Sequence, residues 1–480
     1  MITSVKNPKV AAAVRLKKRA FREQEARFLV EGVQAVREAL GSGTRLAGLF
    51  HTAGSQDLAG RARAAGVEVQ VVSEEVMGRL TSTVTPQGLV AIAPFVDVAL
   101  DALPPSPACV ALLHSVRDPG NAGMVLRSAD AAGADAVVFS ASSVDVYNPK
   151  TVRASAGSVF HVPVVRGPQT EEAVRALRDR GCGVLAMDAD GEADLYTLDL
   201  TEPTAFLFGN EAWGLPQEVA ALADTTVRVP IQGGAESLNL AAAATVCLFE
   251  WARQRREGRR TALETVIAAA AHDIRSPLTA MKGFGYALST RWDNMSPEQR
   301  SVMLQGIVYD TDRLNLILHQ LVDAARVVSG RLELFRELVD VGALVARIAK
   351  SHERDPEHPA ILWDGDHVEA FIDSDRLQLV LEAFVEAEVW WASEGPIRMW
   401  GEVRGGRLAV EVFREGTELE PERAASLFQP RPPGAGAGSK IGLFVADGVA
   451  RAQGGDIAVD VERGLRFRLE IPVEEETQAV

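Results

Sequence analysis

A run of glycines and polar residues directly follows an apolar strand near the middle of the chain. Residues 204–208 predict a buried strand, and Gly209, the pair Asn210-Glu211 and Gly214 come directly after it. Glycines let backbone approach a ligand closely, and α/β sheets hold their ligands in loops at the carboxyl ends of strands. Taken alone, this segment is equally compatible with an ordinary turn between a strand and a helix.

Two other segments carry polar side chains suited to such a site. Residues 118–130 follow a second apolar strand, and a proline and a glycine there predict the start of a helix. Asn121 lies in the first turn of that helix, where unpaired N–H groups favour anions and polar ligands. Arg127 follows six residues later, and by itself it is more typical of a solvated helix surface. The third segment is Ser237-Leu238-Asn239-Leu240.

Together, the three segments resemble motifs one, two and three of the SpoU/TrmH class of SPOUT methyltransferases. The resemblance extends through residues 144–150 and 153–157 and covers roughly the first half of the chain. It implies transfer of a methyl group from S-adenosylmethionine to a ribose 2′-hydroxyl of RNA, with ribosomal RNA as the expected substrate. It also implies a trefoil knot, a rare exception to unknotted connections, and a homodimer in which Arg127 of one subunit serves the cofactor of the other.

The resemblance assigns roles to individual residues. Arginine is charged at all usable pH and is an awkward base, so Arg127 is expected to stabilise the developing 2′-alkoxide. Asn121 would place the ribose, and Glu211 would orient neighbouring polar groups. The expected catalytic residues are Arg127, Asn121, Glu211, Ser237 and Asn239. The cofactor is expected to contact, mostly through backbone groups, Gly209, Asn210, Gly214, Val229, Ile231 and Leu238.

The charge of the chain is unevenly distributed. The net charge is −15, of which −13 comes from residues 261–480, whereas residues 1–30 alone carry +6. A local excess of basic side chains is the electrostatic footprint of a phosphate backbone, although a solvated basic helix would give the same pattern. The residues predicted to bind RNA are Lys6, Lys9, Lys17, Lys18 and Arg19.

Composition indicates a globular protein of several domains. No stretch approaches the ~20 uninterrupted apolar residues of a membrane helix, and the start of the chain lacks the apolar block of a signal peptide. The three cysteines are isolated and lack metal-ligand spacing, so we expect reduced buried thiols, no metal and a cytoplasmic protein.

Strand and helix patterns divide the first half into two α/β domains. Residues 1–100 resemble the ribosomal-protein-like domain that binds RNA in this family, and a proline-rich linker follows. Residues 101–256 alternate strands and helices, which predicts the parallel sheet of the SPOUT domain. The charged run at residues 255–260 is interpreted as a linker to a second module.

The second half resembles a sensor histidine kinase. Apolar spacing predicts a dimerisation-type helical hairpin over residues 257–335, with Ser296 as the N-cap of its second helix. His272, followed by Asp273, Ser276 and Pro277, resembles the phosphoacceptor box, in which the acidic neighbour accepts the imidazole proton.

Residues 336–480 resemble the ATP-binding α+β sandwich of those kinases, but with damaged nucleotide chemistry. Ala387 replaces the asparagine that holds Mg²⁺, Arg414 replaces the aspartate that accepts the adenine amino group, and Glu418 replaces a glycine. Arginine only donates hydrogen bonds, so the adenine contact is lost. Residues 438–443 keep part of the later glycine box. We therefore expect a pseudokinase in which His272 is a vestigial phosphoacceptor, with ATP or a response regulator as a weaker possibility for a partner.

Three functions remain in competition. The leading one is an RNA ribose 2′-O-methyltransferase with an appended pseudokinase. A sensor kinase that uses the first half as its input domain is favoured by His272 and opposed by Ala387 and Arg414. A binding protein without catalysis in either half is opposed by the complete set of family residues in the first half.

Overall fold

The computed structural model describes residues 1–52, 56–83, 85–352, 358–365, 367–417, 419, 420, 424, 426–429 and 441–473. Glu418 and residues 438–440 of the predicted glycine box lie outside this part of the chain. The structure divides into two units, residues 1–256 and 257–480. The division of each unit into two domains stays a prediction.

The first unit begins with a small mixed sheet of order β1-β4-β2-β3, in which β4 is antiparallel to β1 and β2. All but the first residue of β1 are buried, because helices cover the sheet. The strands are β1 (Arg27–Glu31), β2 (Gly48–His51), β3 (Val69–Val71) and β4 (Leu89–Pro94). The helices are α1 (Pro8–Arg15), α2 (Arg19–Glu25), α3 (Val33–Gly41), α4 (Gln56–Ala64) and α5 (Glu74–Leu80).

A parallel sheet of seven strands follows, in the order β7-β6-β5-β10-β8-β11-β9. Its strands are β5 (Cys109–Leu113), β6 (Ala136–Phe139), β7 (Val164–Arg166), β8 (Gly183–Met187), β9 (Ala193–Asp194), β10 (Thr204–Phe208) and β11 (Thr225–Arg228). Its helices are α6 (Pro119–Ala132), α7 (Pro149–Ala154), α8 (Thr170–Arg178) and α9 (Gln217–Ala220). The predicted parallel α/β class is confirmed, although the sequence patterns missed β7 and β9 because these strands are only three and two residues long.

The central strands β5 and β10 are neighbours, so their carboxyl ends lie side by side. Both strands are buried throughout, and Phe208 pairs with Leu113 at the last position of each. The loops that follow, residues 114–118 and 209–216, therefore leave the same edge of the sheet. This register places the first two motifs of the sequence analysis together.

Tyr147 packs between the small sheet and the parallel sheet and connects them. Its ring is fully buried and stacks on Phe95 with centroids 4.1 Å apart, while Phe28 packs at 4.5 Å. Its hydroxyl donates to Asp97 at 2.5 Å and accepts from the backbone N–H groups of residues 96 and 97. Residues 144–150, which carry part of the family resemblance, therefore have a structural function here.

Helix α10 runs without interruption over Leu240–Arg291, with Pro277 inside it. The boundary between the two units falls after Arg256, inside the run 255–260 that was interpreted as a linker, and the chain is helical there. Most residues of this run are good helix formers, and the one glycine, Gly258, costs only about 1 kcal/mol in a helix.

The second unit contains α11 (Pro297–Ser329), α12 (Val341–His352), α13 (Ser374–Trp391) and α14 (Gly442–Ala452). Its strands are β12 (Glu337–Asp340), β13 (Ile361–Trp363), β14 (Glu369–Ile372), β15 (Ala392–Arg404), β16 (Arg407–Thr417), β17 (Asp456–Asp460) and β18 (Gly464–Pro472). The order of the larger sheet is β13-β15-β16-β18-β17, and β12 pairs with β14. Phe384 of α13 stacks on Phe467 of β18 with centroids 4.8 Å apart, and Ser296 caps α11 in a complete capping box with Gln299. The predicted hairpin turn and α+β sandwich are confirmed.

Candidate active site

Three side chains from three separate motifs form one hydrogen-bonded row in the first unit. The Asn121 Nδ2 group donates to Oε1 of Glu211 at 3.2 Å, and Asn239 Nδ2 donates to Oδ1 of Asn121 at 3.1 Å. The structure therefore brings together three of the five predicted catalytic residues, which lie in the loop after β10, the first turn of α6 and the residue before α10.

Glu211 is held as a carboxylate by backbone donors. Its Oε2 accepts from the N–H of Arg117 at 3.0 Å, and its Oε1 accepts from the N–H of Asp118 at 2.9 Å. Burial would raise the pKa of Glu211, but these bonds and the one from Asn121 outweigh burial, and the pKa is lowered overall. Glu211 is thus an anion near neutral pH, suited to orienting groups rather than to donating a proton.

The hydrogen bonds also fix the orientation of both amides. A carboxylate only accepts, so Asn121 must turn its NH₂ group to Glu211 and its oxygen to Asn239. Asn239 in turn donates to Asn121 and accepts, through Oδ1, from the N–H of Ala241 at 2.9 Å in the first turn of α10. The order of donors runs in one direction from the helix start to the carboxylate.

The loop after β10 is closed by its own backbone. Asn210 and Gly214 exchange two N–H to C=O bonds of 2.9 Å, and Gly214 adopts a φ of +66° that favours glycine. A Cβ on Gly209 would lie 2.4 Å from the carbonyl carbon of Gly214. The close approach that Gly209 permits is therefore to the loop itself.

The side chain of Asn210 fixes this loop to the neighbouring one. Its Nδ2 donates to the carbonyl of Ser115 at 2.7 Å, and its Oδ1 accepts from the N–H of Ala212 at 2.8 Å. Asn210 is buried, and Ser115 has a φ of +53°. The polar groups of Asn210 and Gly214 that were predicted to contact a cofactor are thus engaged within the protein.

The remaining predicted cofactor residues line an irregular segment. Val229 and Ile231 are partly buried, and the side chain of Leu238 is 39% exposed. The backbone groups of residues 231–238 make no hydrogen bond within the described part of the chain. Open N–H and C=O groups beside apolar side chains fit a ligand with an aromatic ring and polar edges, such as S-adenosylmethionine.

Arg127 and Ser237 are not joined to the row. Both side chains are exposed, and neither has a hydrogen-bond or ion-pair partner among the residues described. Arg127 lies six residues after Asn121, which places it about 9 Å along α6 and about 120° around its axis. It shares the exposed side of the helix with Met124, whose side chain is 42% exposed.

The structure also shows site residues that sequence reasoning did not single out. Asp118 caps α6 by accepting from the N–H of Asn121 at 2.9 Å, and Lys150 holds the other oxygen of Asp118 at 2.7 Å. The ion pair with Lys150 and the cap lower the pKa of Asp118, although burial opposes them. An aspartate before a proline at a helix start was a readable capping signal, whereas the donors at Arg117 depend on tertiary structure.

The predicted RNA-binding residues are in different situations. Lys6 and Lys18 are exposed, and their ammonium groups have no partner in the described residues, whereas Lys9 pairs with Glu68 and Arg19 lies 3.6 Å from Glu23. The Lys17 ammonium donates to the carbonyls of Arg79 and Thr81 at 2.7 and 2.5 Å, and burial lowers its pKa.

Comparison with known proteins identifies the first unit. Residues 108–249 match the model of the SpoU rRNA Methylase family, and residues 7–91 match the MRM3-like substrate binding domain. The 23S rRNA (guanosine(2553)-2′-O)-methyltransferase RlmP of Bacillus subtilis is 34% identical over 251 residues, which cover 52% of this chain and 97% of that protein. The chain belongs to the SpoU rRNA methylase family.

Two further proteins are similar to this SpoU-family chain. A 23S rRNA (uridine(2479)-2′-O)-methyltransferase of Streptomyces viridochromogenes is 44% identical over 146 residues, which cover 29% of this chain and 51% of that relative, about half its length. The AdoMet-bound rRNA methyltransferase from Sinorhizobium meliloti is 36% identical, with a TM-score of 0.48 and coverage of 52% of this chain and 97% of that one. The predicted family is therefore confirmed, and the named relatives are 23S rRNA 2′-O-methyltransferases.

In the second unit, residues 262–330 match the His Kinase A (phospho-acceptor) domain, as predicted. The side chain of His272 is 47% exposed, and its Nδ1 lies 3.2 Å from Oδ1 of Asp273. Ala387 is buried in α13. The guanidinium of Arg414 donates to the carbonyls of Ala392 at 2.7 Å, Gly395 at 3.1 Å and Glu388 at 3.2 Å.

None of the described helices combines the length and apolar character that a membrane span needs. Within the same residues, no group of three or more histidine, cysteine, aspartate or glutamate side chains could hold a metal ion.

Proposed function

We propose that this chain methylates a ribose 2′-hydroxyl of ribosomal RNA and that the row Glu211–Asn121–Asn239 organises its reaction centre. The single observation that carries the proposal is this row, because it joins all three motifs and ends at the irregular segment 231–238. The names of the relatives, which act on 23S rRNA, support ribosomal RNA as the substrate. Such a substrate would place the reaction in the cytoplasm.

The chemistry requires an oriented ribose and a stabilised oxyanion. A 2′-hydroxyl is a weak nucleophile until its proton is withdrawn. Arg127 is the cation available to stabilise the developing alkoxide, because its guanidinium has no partner within the described residues. Asn121, whose free amide hydrogen faces away from Glu211, would hold the ribose, and Ser237 would line the centre beside Asn239.

The cofactor would lie against the open backbone of residues 231–238 and the side chains of Val229, Ile231 and Leu238. When bound, S-adenosylmethionine supplies an electrophilic methyl group on its sulfonium. The closed loop of Gly209, Asn210 and Gly214 would form a rigid wall of that pocket, and the carbonyl oxygens keep a second lone pair for a ligand.

A homodimer would complete the site. Met124 of α6 and Phe249 of α10 are 42% and 47% exposed, and the two helices touch where Ser128 and Thr245 hydrogen bond at 2.6 Å, one turn from each apolar residue. Exposed apolar side chains on adjoining helices favour a protein interface. Arg127 is on the same side of α6 as Met124, so such an interface would carry it to the partner's ribose.

The domain organisation is part of the proposal. Residues 1–100 would hold the RNA, with Lys6 and Lys18 as the free cations and Lys9 and Arg19 as cations that can exchange their carboxylate partners for phosphate. Residues 101–256 would carry the chemistry, residues 257–335 the phosphoacceptor-like hairpin, and residues 336–480 the degenerate ATP-binding domain.

For the second unit we infer a pseudokinase. By the resemblance, Arg414 occupies the position of the adenine acceptor. Its Nε and Nη1 groups donate to three backbone carbonyls, and Ala387 offers no metal ligand. The signalling alternative is favoured by one observation, the exposed imidazole of His272 beside Asp273. ATP and a response regulator would be its partners.

The decisive experiment maps ribose methylation in ribosomal RNA from a strain that lacks this gene and from the same strain carrying the wild-type chain. One 2′-O-methyl group should disappear and return, and the purified protein should add it to unmodified RNA with S-adenosylmethionine. Methylation of tRNA but not of ribosomal RNA by the purified protein would overturn the assignment of ribosomal RNA as the substrate. Calorimetry that detects no binding of S-adenosylmethionine to the folded protein would overturn the proposed methyltransferase activity.

A further inference from the structure

A large aromatic side chain stands in the loop that carries Glu211. The side chain of Trp213 is 61% exposed to solvent, although tryptophan is highly buried on average. It lies two residues after Glu211, so the two Cα atoms are within about 7 Å of each other. An aromatic surface is therefore displayed at the rim of the reaction centre.

The loop presents this side chain from a fixed backbone. Residues 211–213 lie between Asn210 and Gly214, whose backbones exchange two hydrogen bonds, and the Asn210 side chain binds both Ala212 and Ser115. Glu211 is anchored to the start of α6. Because the loop is already ordered, a ligand that contacts Trp213 would not have to pay for ordering it.

Cationic side chains lie on the segments that flank the Glu211 loop, together with the carboxylates of Glu211 and Asp118. The side chain of Arg117 is exposed and has no partner in the described part of the chain, and its backbone N–H touches the same Glu211 carboxylate. Arg127 is likewise unpaired, and Lys150 lies on Asp118. An exposed indole in a loop that Glu211 joins to the backbone of Arg117 matches a nucleotide, which has an aromatic face for the indole and a phosphate for the guanidinium.

We propose that Trp213 stacks on a base of the substrate RNA, at or next to the methylated nucleotide, while Arg117 contacts its phosphate. The inference rests on the proposed function and adds the means by which the target nucleotide is held. The target nucleotide must leave the stacked helix for its 2′-hydroxyl to reach the site. Its base then loses stacking, and an aromatic side chain that stacks on the base compensates for that loss. Stacking accepts any base, so Trp213 supplies affinity rather than sequence choice.

The test compares Trp213→Ala and Trp213→Phe with Tyr196→Ala, a matched control at a second exposed aromatic residue, 55% exposed. Unmodified ribosomal RNA is the probe. We expect Trp213→Ala to raise the KM for RNA roughly tenfold to a hundredfold and to leave the Kd for S-adenosylmethionine and the dimer mass unchanged. Trp213→Phe should restore most of the affinity, and the control should match the wild type.

Fluorescence gives an independent readout. The chain has seven tryptophans, and the other one in the first unit, Trp251, is 3% exposed. RNA should quench the wild-type signal, and the quenched component should be absent from Trp213→Phe.

Each alternative has its own outcome. A KM for RNA that is unchanged in Trp213→Ala, together with RNA quenching that is unchanged in Trp213→Phe, would overturn the inference. A raised Kd for S-adenosylmethionine would place Trp213 on the cofactor, and a loss of the dimer would place it in the subunit interface. If the wild type fails to methylate RNA, the proposed function fails, while quenching of Trp213 by RNA still decides the stacking.

Discussion

The side-chain amide of Asn121 donates to the carboxylate of Glu211 at 3.2 Å, although ninety positions of sequence separate them. The contact exists because β5 and β10 are adjacent parallel strands whose carboxyl ends open on the same edge. Glu211 in turn accepts from two backbone N–H groups at the start of α6. One carboxylate therefore ties the glycine loop to the helix that carries Asn121 and Arg127.

Glu211→Gln should reduce methyl transfer and destabilise the first unit by about 0.5–1.5 kcal/mol, because the new NH₂ group would face a backbone N–H that then has only water as an acceptor. Urea unfolding and turnover on RNA are the measurements. Glu218→Gln, at an exposed glutamate of α9, is the matched control and should change neither quantity.

The same substitution has a pH signature. Since the pKa of Glu211 is lowered in the folded protein, its stabilising effect is present above the ordinary glutamate pKa and is lost as the pH falls through the folded value. The loss of wild-type stability on acidification should therefore be steeper than that of Glu211→Gln. Identical acid profiles would contradict the carboxylate role.

Asn239 should separate helix capping from site orientation. Asn239→Asp keeps the acceptor for the N–H of Ala241 but loses the donor to Asn121, so stability should stay within about 0.5 kcal/mol of the wild type while turnover falls. Asn239→Ala loses both the acceptor and the donor, and it should lower the free energy of unfolding by roughly 1 kcal/mol more than Asn239→Asp. Equal turnover in Asn239→Asp and the wild type would show that the row does not orient the substrate.

Arg127→Ala should abolish methyl transfer and leave cofactor binding nearly intact, because the proposal places its guanidinium at the ribose and not at the cofactor. If the site is shared across a dimer, mixing Arg127→Ala with Glu211→Gln subunits should restore about a quarter of the wild-type activity. Random pairing makes half of the dimers mixed, each with one intact site. No recovery in verified mixed dimers would place Arg127 in its own subunit's site.

Glu388 should make the stability of the second unit fall as the pH rises. Its carboxyl oxygens are buried and have no hydrogen-bond partner in the described residues, and burial raises the pKa to about 10, with Arg414 opposing. The unfolded chain ionises at the ordinary pKa, so stability should drop by about 1.4 kcal/mol per pH unit between the two values.

Glu388→Gln should reduce that dependence in thermal unfolding scans of the full chain from pH 5 to pH 9, most clearly above pH 7. Below pH 7 a slope of the same sign should remain, because burial raises the pKa of Glu386 to about 7. Glu394→Gln, an exposed glutamate of β15, is the control and should keep the wild-type slope. A wild-type profile in this range that is already flat would refute the neutral buried carboxyl.

Purified protein should give no phosphohistidine with labelled ATP and Mg²⁺, even though His272 and Asp273 are in place. In the proposed pseudokinase, Ala387 would offer no ligand to the metal, and the Arg414 guanidinium donates to backbone carbonyls. Acid-labile, alkali-stable label that disappears in His272→Gln would give the signalling function the lead. The variant Ala387→Asn with Arg414→Asp tests whether the two losses suffice to explain inactivity.

Helical spacing and turn-forming residues in the sequence were sufficient to predict much of the local structure. Ser296 with Pro297 indicated the start of α11 because a capping box depends only on neighbours, and buried strands such as β10 were evident from continuous apolar runs. The charged run at residues 255–260 coincides with the boundary between the two units, but its helical conformation was not evident because a charged run is compatible with both an irregular linker and a solvated helix. Residue roles came from motif resemblance, and they stay predictions.

The sequence by itself determined the parallel α/β class, which follows from apolar periodicity, and the family, which follows from the resemblance of the three motifs. The residues that those motifs name stay predictions for the site. Only the tertiary structure decided which of these polar groups are bonded within the protein and which are open to a ligand. It joined Glu211 to Asn121 and Asn239, used Asn210 and Gly214 to close their own loop, placed Lys17 on helix-end carbonyls, and left Arg127 and Trp213 open. Hydrogen-bond partners distant in sequence depend on strand order and register, which local patterns do not encode.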